Sequence, residues 1–512
     1  MNLQQLFPAV VSALLALGAM PAPHLSAQSP SPEFAVRSRT SRIIVKFSAP
    51  HAVAETNGVP AMRAASVARS AERLSAAVGQ SLSYASDISE QEQVLQLAAP
   101  VDLAEAEAIA QQIAAQPGVE YAVPDQQRHT MLTPDDAFWT DQWHYFAPST
   151  GDYGIDVEAA WDITTGSSSV NVAVVDTGIL PSHADFAGRL RPGYDFVSMD
   201  PSDATFTRDG NGRDSDPSDP GTWGSIAECG RATDSSWHGS HVAGTIGAAS
   251  NNAAGVAGVN WVSRIVPVRV LAKCGSGYDS DIIAGMRWAA GLPVPGIPAN
   301  PFPARVINLS LGGDGPCTAT WQTAVNEVVA TGSVLVMAAG NESQNASLSS
   351  PGNCANVITV AATTRTGSKA SYSNFGSVVE IAAPGGGGLL TADLVLSIDN
   401  FGATSPAADA YGYKQGTSMA APHIAGIASL MLSLRPELTP ARVLSIMRST
   451  VTAFPAGSTC NTTTCGSGIA NARLALEAAQ ALPPLDKKVL LPLTRKGAGT
   501  AKVNSLAVKK SQ

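Results

Sequence analysis

The amino-acid sequence predicts an α/β fold, a doubly wound and mainly parallel sheet, preceded by a small α+β domain. Three observations carry that expectation. Val172-Ala173-Val174-Val175 and Ser333-Val334-Leu335-Val336-Met337 are apolar runs, as in strands buried on both faces of a parallel sheet, and Arg305–Gly313 reads as a strand that ends in glycines. Polar, chemistry-bearing residues stand at the ends of these runs, where open α/β sheets hold their ligands. A separate succession of short strands and helices lies nearer the N-terminus.

In chain order, residues 1–27 read as a signal peptide. Ala9 to Met20 is almost wholly apolar and too short to span a bilayer, and Leu25-Ser26-Ala27 suits cleavage, although no Lys or Arg precedes the run. Residues 28–131 form the small domain: strand Arg42–Phe47, helix Ala64–Val78, strand Val94–Leu97, helix Asp102–Ala115 and strand Val119–Val123. Residues 132–481 form the large domain. Residues 482–512 are a basic tail, with seven Lys or Arg against Asp486, expected to be disordered or trimmed. With 512 residues, 45% apolar and 14% charged, the chain has core for one large and one small domain. A net charge of −9 gives no reason to expect nucleic acid, and no later run approaches the roughly 18 apolar residues of a membrane span.

The large domain carries three strings, in the order acid, base, nucleophile. Val174-Val175-Asp176-Thr177-Gly178 places a carboxylate at a strand end. His238-Gly239-Ser240-His241-Val242-Ala243-Gly244-Thr245 reads as a helix start that Ser235 or Ser236 can cap. Gly416-Thr417-Ser418-Met419-Ala420-Ala421-Pro422-His423 opens another helix, whose free N–H groups favour developing negative charge at Ser418. A serine hydroxyl becomes a nucleophile when an imidazole takes its proton and a carboxylate orients the imidazole. Asp-Thr-Gly also fits an aspartic-protease site, but no second such string occurs. A fourth piece, Ala338-Ala339-Gly340-Asn341, ends a strand with an amide that can donate to an oxyanion. His183, His241 and His423 are assigned to packing and hydrogen bonding.

Together these strings resemble the subtilisin-like family of serine proteases (subtilases), in its extracellular bacterial branch. The resemblance implies a subtilisin-like sheet, catalytic Asp176, His238 and Ser418, and Asn341 in the oxyanion hole. It implies that Ser310, Leu311 and Gly312, with Gly275 and Gly277 opposite, align an extended peptide. Asn308-Leu309-Ser310 also fits a glycosylation sequon, which a buried strand disfavours. The small domain is similar to the inhibitory, ferredoxin-like pro-domain of such enzymes, with self-cleavage between Gln126 and Pro134. Six cysteines in an exported chain point to disulfides while leaving several pairings open. The resemblance implies Cys229–Cys274, Cys317–Cys354 and Cys460–Cys465.

An acidic insertion between Asp176 and His238 offers alternating oxygen donors for structural calcium, with Asp200, Asp209, Asp214 and Asp216 as expected ligands. A second candidate is Asp185 with the Ser250-Asn251-Asn252 loop, where the family holds calcium. The expected function is a secreted serine endopeptidase made as a self-processing zymogen, monomeric, without organic cofactor, acting on proteins or peptides. A catalytically dead binding protein would have lost one of the four site residues. An esterase would not need the peptide-aligning strand.

Overall fold

The computed structural model describes residues 39–48, 60–126, 132–149 and 151–483, so the expected signal peptide, the stretch 127–131 and nearly all of the basic tail lie outside the described residues. The chain divides near residue 130 into two compact units.

The first unit runs β1 (Arg39–Phe47), α1 (Pro60–Val78), β2 (Leu82–Asp87), β3 (Glu92–Asp102), α2 (Leu103–Ala114) and β4 (Val119–Pro124). Its sheet has the order β2-β3-β1-β4 with every pair antiparallel, the β-α-β-β-α-β arrangement of ferredoxin-like domains. Alternate β1 residues Ile43, Val45 and Phe47 face a core shared with Leu74, Ile109 and Ile113. Strand β2 is absent from the sequence reading. It is an edge strand in which only Leu82 is buried, so it lacks the alternation that reveals a half-buried strand.

The second unit continues with α3 (Val157–Trp161), β5 (Asn171–Asp176), β6 (Tyr194–Asp195), α4 (Ile226–Cys229), α5 (His238–Gly247), β7 (Arg264–Arg269) and α6 (Asp279–Ala289). There follow β8 (Val306–Leu309), β9 (Gly313–Asp314), α7 (Ala319–Ala330), β10 (Val334–Ala338), β11 (Ser349–Ser350), β12 (Ile358–Thr363) and β13 (Ile381–Pro384). A hairpin of β14 (Val395–Asn400) and β15 (Asp409–Lys414) leads into α8 (Thr417–Leu434), then α9 (Pro440–Ser449) and α10 (Ala472–Gln480).

Seven strands form one wholly parallel sheet in the order β13-β12-β10-β8-β5-β7-β6. Successive side chains divide between its faces. Val172, Val174, Val306, Val334 and Val336 pack with Val242 and Ile246 of α5 and Ile424 of α8. Ala173, Val175, Ile307, Leu335 and Met337 pack with Met286 of α6 and Trp321 and Val325 of α7. With both faces covered, unbroken apolar runs are required, and that is why these strands were legible. The chain leaves β5 for β7 on one side and returns to β8 on the other, which puts a topological switch point at the end of β5.

Helix α8 is the only described helix long and apolar enough to cross a membrane, and it is buried in this core. Ile424, fully buried there, is a direct measure of its packing. Ile424→Ala in a Ser418→Ala background is expected to lower stability by about 2–5 kcal/mol. Urea unfolding followed by fluorescence measures this without self-digestion.

Candidate active site

Asp176 ends β5 with its side chain fully buried. Its Oδ1 accepts the Thr177 N–H at 2.7 Å and lies 2.7 Å from His238 Nδ1. His238 is the first residue of α5, so the helix start presses its ring on the strand end. The expected serine caps are not used. Ser235 Oγ takes the Thr222 N–H and donates to Thr404 O, and Ser236 Oγ pairs with Thr222 Oγ1 at 3.2 Å. Both hydroxyls are consumed by the insertion and the β14–β15 tip, and Trp237 holds the N-cap position in a left-handed conformation without capping.

Ser418 is the second residue of α8, and its N–H precedes the helix ladder and is open to an outside acceptor. Its hydroxyl donates to the Ser310 carbonyl at 3.1 Å. Its own carbonyl would normally bond to the N–H four residues on, but that residue is Pro422, which has none. Ser310 Oγ fills the gap at 2.8 Å and itself accepts from Asn308 Nδ2 at 2.9 Å. Asn308 is fully buried, in keeping with the rejection of the sequon. Sequence reasoning missed this relay. The proline four residues after the serine was its one visible signal.

Asn341 follows β10. Its Oδ1 accepts both the Thr417 N–H, at 2.8 Å, and the Thr417 hydroxyl, at 3.0 Å. With the oxygen so engaged, the Nδ2 donors point away from Thr417. Buried Asn374 braces the same loop, accepting the Glu342 and Gln344 N–H groups and donating to Ala339 O and to Glu342 Oε2. Lys414, three residues before Thr417, donates to Ser236 O at 2.7 Å and ties the approach to α8 to the approach to α5. A hydroxyl, an imidazole–carboxylate pair and two oxyanion donors are the parts of acyl transfer by a serine.

Strands β8 and β7 flank β5, so the segments after them, Ser310–Gly312 and Gly275–Gly277, stand on either side of Asp176. Gly277 is obligatory, because a Cβ there would come within 2.2 Å of Val270 O. The Cys229–Cys274 disulfide ties the insertion to the residue before Gly275, and Cys317–Cys354 and Cys460–Cys465 also form. His183 and His241 each face a backbone carbonyl, and His423 pairs with Met419 O and with His144.

The two expected calcium loops differ. Asp200, Asp209, Asp214 and Asp216 are not drawn into one group. Ser202 and Tyr278 hold Asp200, Arg269 pairs with Asp209, Asn211 and the Asp216 N–H hold Asp214, and the Ser218 N–H holds Asp216. Arg269 supplies there the positive charge that a cation would bring. Among the described residues no three His, Cys, Asp or Glu side chains gather as a metal site. At the other loop, Asn252 Nδ2 lies 3.2 Å from Asp185 Oδ1, and Asp136 joins them by accepting the Asn251 N–H at 2.7 Å. Asp136, which the sequence gave no reason to single out, has a buried Oδ1 without a partner. Burial, with Asp185 nearby, pushes the Asp136 carboxyl up to about 6, and burial raises Asp185 as well. Buried carboxylates with an orphaned oxygen and an amide beside them fit a hard cation.

Fold and site together define an α/β protein with an Asp176–His238 pair at the end of β5 and Ser418 bonded to the segment after the neighbouring β8. Residues 167–473 match the subtilase family, and the chain belongs to that family. It is 49% identical over 383 residues to an extracellular protease of Xanthomonas campestris pv. campestris, covering 74% of this chain and 63% of that protein. It is 42% identical over 403 residues to an extracellular basic protease of Dichelobacter nodosus, covering 75% and 64%. The chain thus spans under two thirds of the length of these relatives. A solved structure described as proteases from Pseudoalteromonas arctica PAMC 21717 superposes with a TM-score of 0.64 at 49% identity, covering 68% of this chain and all of that one.

Asn341→Ala is expected to lower kcat on a chromogenic peptide by about 10²–10³ with little change in KM. Thr417→Val, which removes the hydroxyl bond to the amide and keeps the backbone N–H bond, should lower kcat by a smaller factor in the same assay.

Proposed function

We propose that the chain is a secreted serine endopeptidase, made as a self-processing zymogen, that hydrolyses peptide bonds through an acyl-enzyme. The observation that carries this reading is the Asp176–His238 pair with its carboxylate buried, on the sheet edge where Ser418 bonds to the Ser310 carbonyl and Thr417 fixes the Asn341 amide. An extended peptide pairing along Ser310–Gly312 would bring its carbonyl carbon to Ser418. The hydroxyl then leaves the Ser310 carbonyl and gives its proton to His238 Nε2 as Oγ bonds to that carbon. The carbonyl electrons move onto oxygen, where Asn341 Nδ2 and the Ser418 N–H donate to it. His238 returns the proton to the departing amine as the C–N bond breaks. Water, deprotonated by the same ring, releases the acid and restores Ser418. Asp176 keeps the Nδ1–H tautomer throughout. The extracellular naming of the relatives supports export, and the separately folded first unit supports residues 28–131 as an intramolecular inhibitor.

A calcium ion at Asp136, Asp185 and Asn252 would neutralise two buried carboxylates and stiffen the loop, with no part in bond cleavage. The folded chain holds the Asp136 proton to about 6, whereas an unfolded aspartate loses it near 4. The folded state therefore binds the extra proton, and without a cation stability falls as pH rises through that window. Thermal unfolding of a chelator-treated Ser418→Ala protein should show calcium raising the midpoint more at pH 8 than at pH 5. Asp136→Asn should reduce that gain.

Incubation of the refolded chain with casein, with and without phenylmethylsulfonyl fluoride, tests the activity itself. Cleavage blocked by the reagent is expected, and a processed chain that cleaves nothing overturns the reading. Ser418→Ala should retain the segment before residue 130.

A further inference from the structure

We propose that Asp219 is a positioning residue of the triad, holding the Thr177 hydroxyl as the cap of α5 and thereby His238 against Asp176. The proposal rests on the serine-peptidase reading of the site and adds to it a residue of the insertion. It starts from an unmet need. The first N–H groups of α5 have no intrahelical acceptor, and Trp237 at the N-cap offers none, since its indole only donates and is bound to Gly402 O. The acceptor arrives from another element: Gly239 donates its N–H to Thr177 Oγ1 at 3.0 Å.

A threonine hydroxyl rotates freely unless its proton is claimed. Asp219 claims it. Its Oδ2 accepts from Thr177 Oγ1 at 2.6 Å, and its Oδ1 is fixed by the Gly221 N–H at 2.8 Å. With the proton committed to the carboxylate, the Thr177 lone pair is committed to Gly239. Thr177 also donates its own N–H to Asp176 Oδ1. One residue thus bonds to Asp176 and to Gly239, the residue after His238, and Asp219 fixes its orientation.

The insertion is built against this loop. Ile179 N–H donates to Pro217 O at 3.0 Å and Asp219 N–H to Ile179 O at 2.8 Å, a short parallel bridge immediately after Asp176 and Thr177. Gly178 sits at φ +112°, and a Cβ there would meet Pro217 O at 2.7 Å. Asp219 is 2% exposed. Burial pushes its carboxyl up to about 6; the bonds from Thr177 and Gly221 and the charge of Arg269 oppose the rise, while Asp176 adds to it. Lys414 also feels its charge. Of the acids in the insertion string, Asp219 is the one whose side chain reaches Thr177 beside the triad.

The test uses the processed enzyme on a chromogenic peptide, normalised by active-site titration, with Asp219→Asn, Thr177→Val and Thr177→Ser. Asp219→Asn, at constant shape, removes the charge and replaces one carboxylate oxygen with an amide donor, so the Thr177 hydroxyl and the Gly221 N–H can no longer both be accepted. Asp219→Asn and Thr177→Val should lower kcat about 10- to 100-fold with KM within about twofold, and Thr177→Ser should restore kcat to within about threefold. In Ser418→Ala backgrounds, the low-field proton resonance of His238 Nδ1–H should persist with Thr177→Ser and broaden or shift with the other two. Unchanged kcat in both disrupting variants, or an unchanged resonance, overturns the proposal. Equal losses in Thr177→Ser and Thr177→Val also overturn it. If Asp219→Asn does not fold, the valine and serine variants decide. A wild type without peptidase activity would sink the functional reading alone, since the resonance arm still judges Asp219.

Discussion

A carboxylate withdrawn from water at the end of a central strand is the constraint around which the active unit is organised. Asp176 has no exposed side-chain surface, and a buried charge is tolerable only when donors surround it. Two donors reach its Oδ1, the Thr177 N–H and the His238 ring. The second exists only because α5 begins directly against the loop that follows β5. Helix position and base position are therefore the same fact. The parallel sheet makes this possible, since all of its strands end on one edge and side chains there escape the two covering layers.

Much of the site consists of groups that orient others. Pro422 withholds an N–H and so frees the Ser418 carbonyl for Ser310, which ties the nucleophile's helix to the strand expected to align substrate. Thr417 turns the Asn341 amide, and Asn374 holds the loop that carries it. Helix α8 bears Ser418 at its first turn and is core over most of its length. Packing of its apolar residues thus fixes the position of a hydroxyl, and a methylene lost far along the helix is felt at its start.

The two acidic loops show how charge is settled within a fold. At the insertion, Arg269 of β7 reaches both Asp195 and Asp209, and local N–H groups bond to Asp214 and Asp216, so these carboxylates have partners within the fold. At Asp136 and Asp185 no arginine or lysine arrives among the described residues, both carboxyls rise with burial, and the charge of Asp185 adds to the rise at Asp136. The same residue type ends as a structural ion pair in one place and as a candidate cation ligand in the other. The difference lies in which partners the rest of the chain delivers.

The sequence by itself determined the parallel core, the chain order of Asp176, His238, Asn341 and Ser418, and the presence of the α+β unit's two helices and three of its strands, although β3 runs Glu92–Asp102 where only Val94–Leu97 was legible. Buried strands must be unbroken apolar runs, and the reactive groups lie in short contiguous strings, so both leave local marks. Edge strand β2 left none, because one buried leucine makes no pattern. Only the tertiary structure decided that Thr177 caps α5 in place of Ser235 or Ser236, that Asp136 joins Asp185, and that Asp219 turns inward while Asp216 turns to its own loop. The partners of Thr177, Asp136 and Asp219 in those bonds lie tens of residues away. A hydrogen bond is settled by distance in space, and a single sequence records only distance along the chain.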